Sequence, residues 1–180
     1  MITLTKKLTY QDFLLFPDDR NRHELIDGEH VMSPSPNYFH QKTSRDLEFQ
    51  FHSYFRKNNN GEILYAPMDV YFSDIDIVEP DLIVIAEKNR DIIKKRFIKG
   101  SPDIVIEILS NSTKKNDLIL KKDLYEKYKV KEYWVIDCDL EIVQKYILEG
   151  NYFVDGGIFK DFIETPIFPD LKINLKEIFE

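Results

Sequence analysis

The chain has 180 residues, a length that suits one domain with a sizeable buried core over residues 1–180. Hydrophobic residues make up 43% of the composition and aromatic residues 13%, which excludes a largely disordered chain. Cys138 is the single cysteine, so an intramolecular disulfide and a cysteine-based metal site are excluded. Because no signal-peptide pattern and no membrane-length apolar stretch is found, we expect a soluble, cytoplasmic protein.

The charge of the chain is uneven. The net charge of -7 argues against a large non-specific nucleic-acid surface, yet residues 88–131 contain 13 basic and 6 acidic residues. This local excess is compatible with an anionic substrate. It is equally compatible with acidic and basic segments that only solvate different faces.

The first predicted elements are helical. Thr9 and Asp12 predict a capping-box start to a short helix that Pro17 helps to end. Apolar residues at helical spacing predict a long helix over residues 38–57, which the run Asn58-Asn59-Asn60-Gly61 ends.

Strand-like patterns follow the long helix. They predict strands over residues 63–72, 81–86, 103–109, 132–136, 142–148 and 152–154. The second and third of these contain the continuously apolar runs Leu82-Ile83-Val84-Ile85 and Ile104-Val105-Ile106. Central strands covered on both faces have such runs, so we expect the two strands to be neighbours in the middle of the sheet.

The rest of the chain mixes helix and strand. Residues 111–129 follow a helical pattern, with Leu120, Leu124 and Tyr128 on one stripe and Ser112 or Thr113 as the N-cap. The tail alternates weakly and is interpreted as a strand or a short helix. These elements together predict an α/β (α+β) fold.

Two acidic residues stand out at the predicted central strands. Asp81 leads one strand and Glu107 lies inside the other, so the two carboxylates converge if the strands are adjacent. Converging carboxylates repel each other unless a cation neutralises them or one is protonated. Oxygen ligands suit Mg²⁺, Mn²⁺ or Ca²⁺, and we predict magnesium.

Each acidic residue also has a structural interpretation. A Pro-Asp pair at a strand entrance is ordinarily turn chemistry, and this interpretation is preferred for Asp103. It suits Glu107 less well, because a charged residue inside an apolar strand is rarely buried without a partner. A metal-binding role is therefore preferred for Glu107 over a simple structural pair.

Lys121 is a candidate catalytic cation. It lies four residues after Asp117 and four before Tyr125, so the three side chains share one face of the predicted helix. The alternative is a solvent-exposed pair between Asp117 and Lys121 worth only ~0.3–0.5 kcal/mol.

An ordered set of short motifs resembles a known family. The set consists of Glu24-Leu25-Ile26-Asp27-Gly28-Glu29, Met32-Ser33-Pro34 with His40, Pro80-Asp81, Pro102-Asp103-Ile104-Val105-Ile106-Glu107-Ile108-Leu109-Ser110 with Ser112-Thr113, and Glu132-Tyr133-Trp134-Val135-Ile136-Asp137. It resembles the Uma-two family of restriction endonucleases, within the PD-(D/E)XK nuclease superfamily. The resemblance runs from about Leu8 to Phe179.

The resemblance implies a restriction endonuclease-like fold, with a mixed central β-sheet flanked by helices, and assigns roles to particular residues. Asp81 would be the motif aspartate, Glu107 its acidic second member, and Glu24 a further carboxylate near the metal. The superfamily's lysine would stand at position 109, where this chain has Leu109, and Lys121 matches the position from which the family draws it instead. Lys129 also stands where relatives usually carry glycine, but this difference affects a loop and not the site.

The histidines and aromatic residues also have functional and structural interpretations. His40 matches a histidine of the family and is suited to general-base chemistry, with helix capping or hydrogen bonding as the alternative. His23 and His52 are interpreted as structural, and the pair Tyr133-Trp134 as core packing. Asp27 and Glu29 are interpreted as serving a turn around Gly28.

The leading hypothesis is a Mg²⁺- or Mn²⁺-dependent nuclease acting on nucleic acid, DNA first. Asp81, Glu107 and Glu24 would hold the metal, Lys121 would orient water or stabilise developing charge, and the basic groups Lys94-Lys95-Arg96 and Lys114-Lys115 would contact the backbone. A homodimer would suit the cutting of two strands. The alternatives are a binding module that keeps the nuclease fold without turnover, and a hydrolase of a smaller phosphoester.

Overall fold

The computed structural model of the chain describes residues 6–19, 21–109 and 117–180, with the backbone alone for Asp117 and Leu118. The predicted N-cap at Ser112 or Thr113 and the basic pair Lys114-Lys115 lie outside the described residues. No helix within these ranges is long and apolar enough to cross a membrane.

Strands dominate the described part of the chain. In chain order they are β1 Arg22–Ile26, β2 Glu29–Ser33, β3 Gly61–Tyr65, β4 Val70–Ser73, β5 Asp76–Val78, β6 Leu82–Ala86, β7 Ile98–Lys99, β8 Ile104–Ile108, β9 Glu132–Asp137, β10 Ile142–Glu149, β11 Tyr152–Phe159, β12 Phe162–Thr165 and β13 Phe168–Asn174.

Helices are fewer. The α-helices of the described part are α1 Tyr10–Phe13, α2 Tyr38–Asn58, α3 Lys122–Lys127 and α4 Lys176–Phe179. A 3₁₀ turn spans Glu87–Ile92, and a π-helical turn over Asp117–Lys121 leads directly into α3.

A six-stranded mixed sheet lies at the centre, in the order β11-β10-β9-β8-β6-β3. Only β8 and β9 pair in parallel; the other neighbours are antiparallel. Leu82 of β6 stands opposite Ile106 of β8, which confirms that the two apolar strands are neighbours. The mixed sheet flanked by helices is the predicted fold class.

A second sheet of five short strands has the order β2-β1-β5-β4-β7, and β12 and β13 form a separate hairpin. The β1–β2 hairpin turns at Asp27 and Gly28, whose φ angles are 52° and 73°. Positive φ at both turn residues is the geometry of a tight two-residue hairpin, which confirms the predicted turn around Gly28. This hairpin carries two side chains of the candidate site.

Alternation along the central strands creates two cores. One face of the sheet packs against α2, the β12–β13 hairpin and α4, and its buried residues include Phe51 and Trp134. The other face packs against α3 and the five-stranded sheet, and includes Val105 and Tyr133. Burying each such side chain contributes roughly 1.5–3 kcal/mol. Trp134 and Tyr133 are fully buried, as predicted.

The caps of the first two helices follow from their sequence. The Thr9 backbone N–H donates to Asp12 Oδ2 over 2.8 Å, which confirms the capping interaction of α1. Asn37 caps α2 by accepting from the backbone N–H of His40 over 2.9 Å, and Asn59 ends it with a left-handed φ of 49°.

Three element predictions were wrong in part. The single strand over residues 63–72 is two strands in different sheets, β3 and β4, because Pro67 has no N–H with which to continue a ladder. The strand predicted over residues 152–154 runs to Phe159. The tail forms both β13 and α4 rather than one element.

The helix predicted over residues 111–129 also differs in its described part. Its first described turn is π-helical, and a π turn holds one more residue than an α turn. Leu120 is therefore exposed rather than on the buried stripe with Leu124, and Lys121 is turned toward the sheet, where it is 3% exposed.

Candidate active site

Glu107 is a buried carboxylate on a central strand. It shares the face of β8 that Val105 presents to α3, and it is 1% exposed. Its Oε1 accepts a hydrogen bond from Lys121 Nζ over 2.9 Å and another from the Tyr125 hydroxyl over 2.6 Å. The predicted shared face of Lys121 and Tyr125 is thus directed at Glu107.

Glu24 reaches the same lysine from the five-stranded sheet. Its Oε1 lies 3.0 Å from Lys121 Nζ and accepts from the Glu79 backbone N–H over 2.8 Å. Its Oε2 is buried and has no hydrogen-bond partner among the described residues. Lys121 therefore bridges two buried carboxylates from different sheets, and the interpretation as a solvent-exposed pair with Asp117 is wrong for Lys121, because its ammonium is buried.

Asp81 lies directly before β6 and is tied to the next strand. Its Oδ2 accepts the backbone N–H of Ile108 over 2.8 Å, which places the carboxylate beside Glu107 along β8. The same oxygen accepts from His40 Nε2 over 3.0 Å, and Oδ1 accepts from Arg22 Nη2 over 2.8 Å. Burial raises the pKa of Asp81, but the hydrogen bond from His40 and the charge of Arg22 outweigh it and lower the pKa to about 2.

His40 is positioned by α2 and is 9% exposed. Because an ionised carboxylate only accepts hydrogen bonds, Nε2 of His40 carries the proton that it shares with Asp81. Nδ1 of His40 is buried and has no hydrogen-bond partner within the described part of the chain; it could accept a hydrogen bond in the neutral form of the ring. The bond to Asp81 confirms the hydrogen-bonding interpretation of His40, and Nδ1 is the ring nitrogen that a ligand could still contact.

Arg22 was missed by the sequence analysis. Besides Asp81 it pairs with Glu79, whose Oε1 lies 2.9 Å from Arg22 Nε. Arg22 and Glu24 stand two apart on β1 and so face the same side of that strand. The signal that could have found Arg22 is this spacing relative to Glu24, but only after residues 22–26 had been recognised as a strand.

Acidic groups crowd the site. Burial raises the pKa of Asp69, and the neighbouring charge of Glu24 raises it further. Burial also raises the pKa of Glu79; Arg22 opposes this shift, and Asp69 and Glu24 reinforce it. The carboxylates named here outnumber the two cations, Arg22 and Lys121, so the cluster carries more formal negative than positive side-chain charge.

The donor chemistry fits a divalent cation. Glu24, Asp81 and Glu107 supply hard oxygen donors, and Glu24 Oε2 is a buried oxygen without a partner in the described residues. No three His, Cys, Asp or Glu side chains within the described ranges converge as a ready-made metal site. Lys121 instead stands between Glu24 and Glu107, so an incoming cation would take over charge that the ammonium now balances.

A cavity of about 430 Å³ opens beside this cluster. It is lined by Arg22, His40 and Asp81, by the polar face of α2, and by Tyr65 and Ala66 at the end of β3. Ala66 donates its N–H to the carbonyl of Asp81 over 3.1 Å, so this part of the lining lies directly against the strand entrance that carries the carboxylate. A ligand in the cavity would contact the cluster.

Other candidate residues lie elsewhere. His23 bonds Asp19 and His30, each over 2.9 Å, and His52 is half-exposed with Nδ1 3.8 Å from Glu48 Oε1. The basic run Lys94-Lys95-Arg96 precedes β7, which lies at the edge of the five-stranded sheet and is separated from β1 by β5 and β4. Neither histidine joins the Asp81 cluster in the described structure.

A sequence profile decides the family. The profile of Uma2, described as "Putative restriction endonuclease", matches residues 10–176. The chain belongs to the Uma2 family. This is the Uma-two family that the ordered motifs resemble, and the family and its nuclease-like fold support a nuclease.

A solved structure shows the same fold as this Uma2 protein. It is described as a "putative nuclease belonging to DUF820" from Anabaena variabilis. It is 20% identical, with a TM-score of 0.78, and the alignment covers 96% of this chain and 97% of that chain. No curated protein matches.

Proposed function

We propose that this Uma2 protein is a divalent-metal-dependent nuclease that hydrolyses phosphodiester bonds, with DNA as its first candidate substrate and Mg²⁺ or Mn²⁺ as its metal. The observation that carries the proposal is a cluster of three buried carboxylates and two cations, in which Lys121 pairs with Glu24 and Glu107, and Arg22 pairs with Asp81 at the lining of an open cavity. We further propose that residues 1–180 act as one cytoplasmic domain.

The three carboxylates would hold the metal. When bound, a divalent cation polarises the phosphate and lowers the pKa of a water molecule. Hydrolysis adds water across the bond between phosphorus and the 3′ oxygen: the water oxygen stays on the 5′ phosphate, and the leaving 3′ oxygen takes up a proton. The chain's own groups orient the phosphate, accept the water proton and stabilise the developing charge.

Lys121 and His40 have distinct proposed roles. The Lys121 ammonium, held 2.9 Å from Glu107 and 3.0 Å from Glu24, is placed to stabilise negative charge on the phosphate oxygens once the carboxylates are otherwise neutralised. His40 would donate the hydrogen bond from Nε2 to Asp81, so that Nδ1 is the nitrogen available to accept a proton from water.

The test is cleavage of supercoiled and single-stranded DNA with Mg²⁺, with Mn²⁺ and with chelator. We expect wild-type nicking to require metal, and Lys121→Met and His40→Gln to slow it while metal binding persists. Metal binding with no cleavage of either substrate, and no effect of these variants beyond stability, would contradict the nuclease.

A second candidate is favoured by one observation. Lys121 already pairs with both Glu24 and Glu107, an arrangement that a protein without turnover would also need to stabilise buried charge. A nuclease-fold module that binds nucleic acid or protein predicts binding without cleavage. A homodimer remains a prediction, to be tested by the mass of the protein in solution.

A further inference from the structure

The cavity beside Asp81 has walls unlike a phosphate-binding surface. Along α2 the side chains of Gln41, Ser44, Arg45 and Glu48 follow the spacing i, i+3, i+4, i+7, so they line one helix face. They combine hydrogen-bond donors and acceptors, including an acid. The carboxylate of Glu48 repels backbone phosphates, whereas amide, guanidinium and carboxylate groups together match the donors and acceptors at the edge of a nucleobase.

Tyr65, which lines the same cavity, supplies a flat aromatic surface. It is the last residue of the edge strand β3, is 60% exposed and stands opposite Leu82, one residue from Asp81. Its hydroxyl has no hydrogen-bond partner, and its ring no aromatic neighbour, among the described residues. Exposed aromatic rings beside a groove are the surfaces on which unpaired bases stack.

We propose that the cavity receives one unpaired nucleobase next to the scissile phosphate, stacked on Tyr65 with its edge toward Gln41 and Ser44. The substrate is then a nucleic acid that is single-stranded, or locally unpaired, at the cleavage position. This proposal rests on the nuclease function proposed above and adds the form of its substrate.

The size and position of the cavity support this assignment. About 430 Å³ is within the range of pockets that take a small molecule, and it accommodates a single base with its sugar. A base inside a duplex is stacked on both faces, so it reaches such a pocket only after leaving the stack. Arg22 and Asp81 also line the cavity, so the phosphate attached to a base bound there would lie next to the carboxylate cluster.

The test measures binding and cleavage separately. A single-stranded 12-mer carrying 2-aminopurine at successive positions, and its matched duplex, are titrated in Ca²⁺ and then incubated in Mg²⁺ or Mn²⁺. Proteins are wild type, Tyr65→Phe, Tyr65→Ala, Gln41→Ala and the control Tyr152→Ala, a tyrosine 72% exposed on β11. Thermal melts confirm that each variant is folded.

We expect the single strand to bind at least about 10-fold more tightly than the duplex, with 2-aminopurine quenched at one position. Tyr65→Ala should weaken single-strand binding about 10-fold, Gln41→Ala less, and Tyr65→Phe and Tyr152→Ala little. An abasic site at the quenched position should reproduce the effect of Tyr65→Ala.

Different outcomes overturn different proposals. Metal-dependent cleavage with equal use of duplex and single strand, and with no effect of Tyr65→Ala, overturns the base pocket and leaves the nuclease. Tyr65-dependent binding without cleavage in any metal keeps the pocket and overturns the nuclease. A folded protein that neither binds nor cleaves overturns both.

Discussion

Strand β8 has a buried carboxylate near each end, and the two are stabilised differently. Asp103 accepts from the Ala86 N–H over 2.8 Å and from Asn89 Nδ2 over 3.2 Å, and pairs with Lys131, whose side chain is 47% exposed. Glu107 shares its buried lysine with a second carboxylate, Glu24. Burial alone therefore does not distinguish the two carboxylates, and we propose that the pairing of one lysine with two buried carboxylates marks Glu107 as the site residue.

The largest expected difference between the two ends of β8 is in activity. Glu107→Gln and Asp81→Asn should lower metal-dependent cleavage on the order of 100-fold or more, because each removes a charged oxygen donor from the site. Asp103→Asn should leave the rate per folded molecule near that of wild type. Initial rates of DNA nicking, corrected for the folded fraction, measure this; equal losses at the two ends would remove the distinction.

A large effect is also expected on stability at the Glu107 end. Lys121→Met leaves Glu24 and Glu107 buried without their shared cation, which should cost about 3–5 kcal/mol in the free energy of unfolding. Mn²⁺ should restore part of this loss and should stabilise the variant more than it stabilises wild type. Urea unfolding with and without Mn²⁺ provides the measurement, and an unchanged midpoint in metal-free buffer would refute the shared-cation account.

A third prediction concerns pH and a structural acid comparable to Asp103. Asp76 is fully buried; burial raises its pKa, but hydrogen bonds from Lys127, the Asp27 N–H and Tyr128 outweigh this and lower it. A lowered folded-state pKa stabilises the protein above the unfolded value of about 3.9, and this contribution is lost as pH falls through the folded-state pKa.

Asp76→Asn should accordingly cost about 1–3 kcal/mol near pH 7, and much less at strongly acidic pH. Chemical unfolding of both proteins across pH 2.5–7 would show it, over roughly the range in which an aspartate titrates. A gap between the two proteins that widens as pH falls would mean that Asp76 is not stabilised as a carboxylate.

The smallest effect is expected at the lysine of the Asp103 end. Lys131→Met removes a half-exposed partner, and Asp103 keeps its bonds to Ala86 and Asn89, so the loss should be no more than about 1 kcal/mol. Compared with Lys121→Met in the same urea titration, it gives the contrast between a surface and a buried lysine. Comparable losses for both variants would argue against that contrast.

Much of the central architecture was predictable from local pattern. The apolar runs of β6 and β8 identified two neighbouring central strands, and the four-residue spacing of Lys121 and Tyr125 predicted that both face one way. These features depend on residues close in sequence or on continuous burial. Such signals are independent of how distant segments meet.

Other features depend on contacts between distant segments. The place of β1 beside β5 brings Arg22 to Asp81 across 59 positions, and no local pattern in residues 22–26 specifies that partner. The cavity likewise forms only where α2 meets the end of β3. The exposure of Leu120 depends on a π turn that helical periodicity does not predict.

The most direct test of the account is calorimetric titration of Mn²⁺ into wild type, Glu107→Gln and Asp103→Asn, each shown to be folded. We predict one or two Mn²⁺ sites in wild type, unchanged in Asp103→Asn and lost or strongly weakened in Glu107→Gln. Equal Mn²⁺ binding by all three proteins, or binding by none, would contradict a metal centre at the Glu107 end of β8.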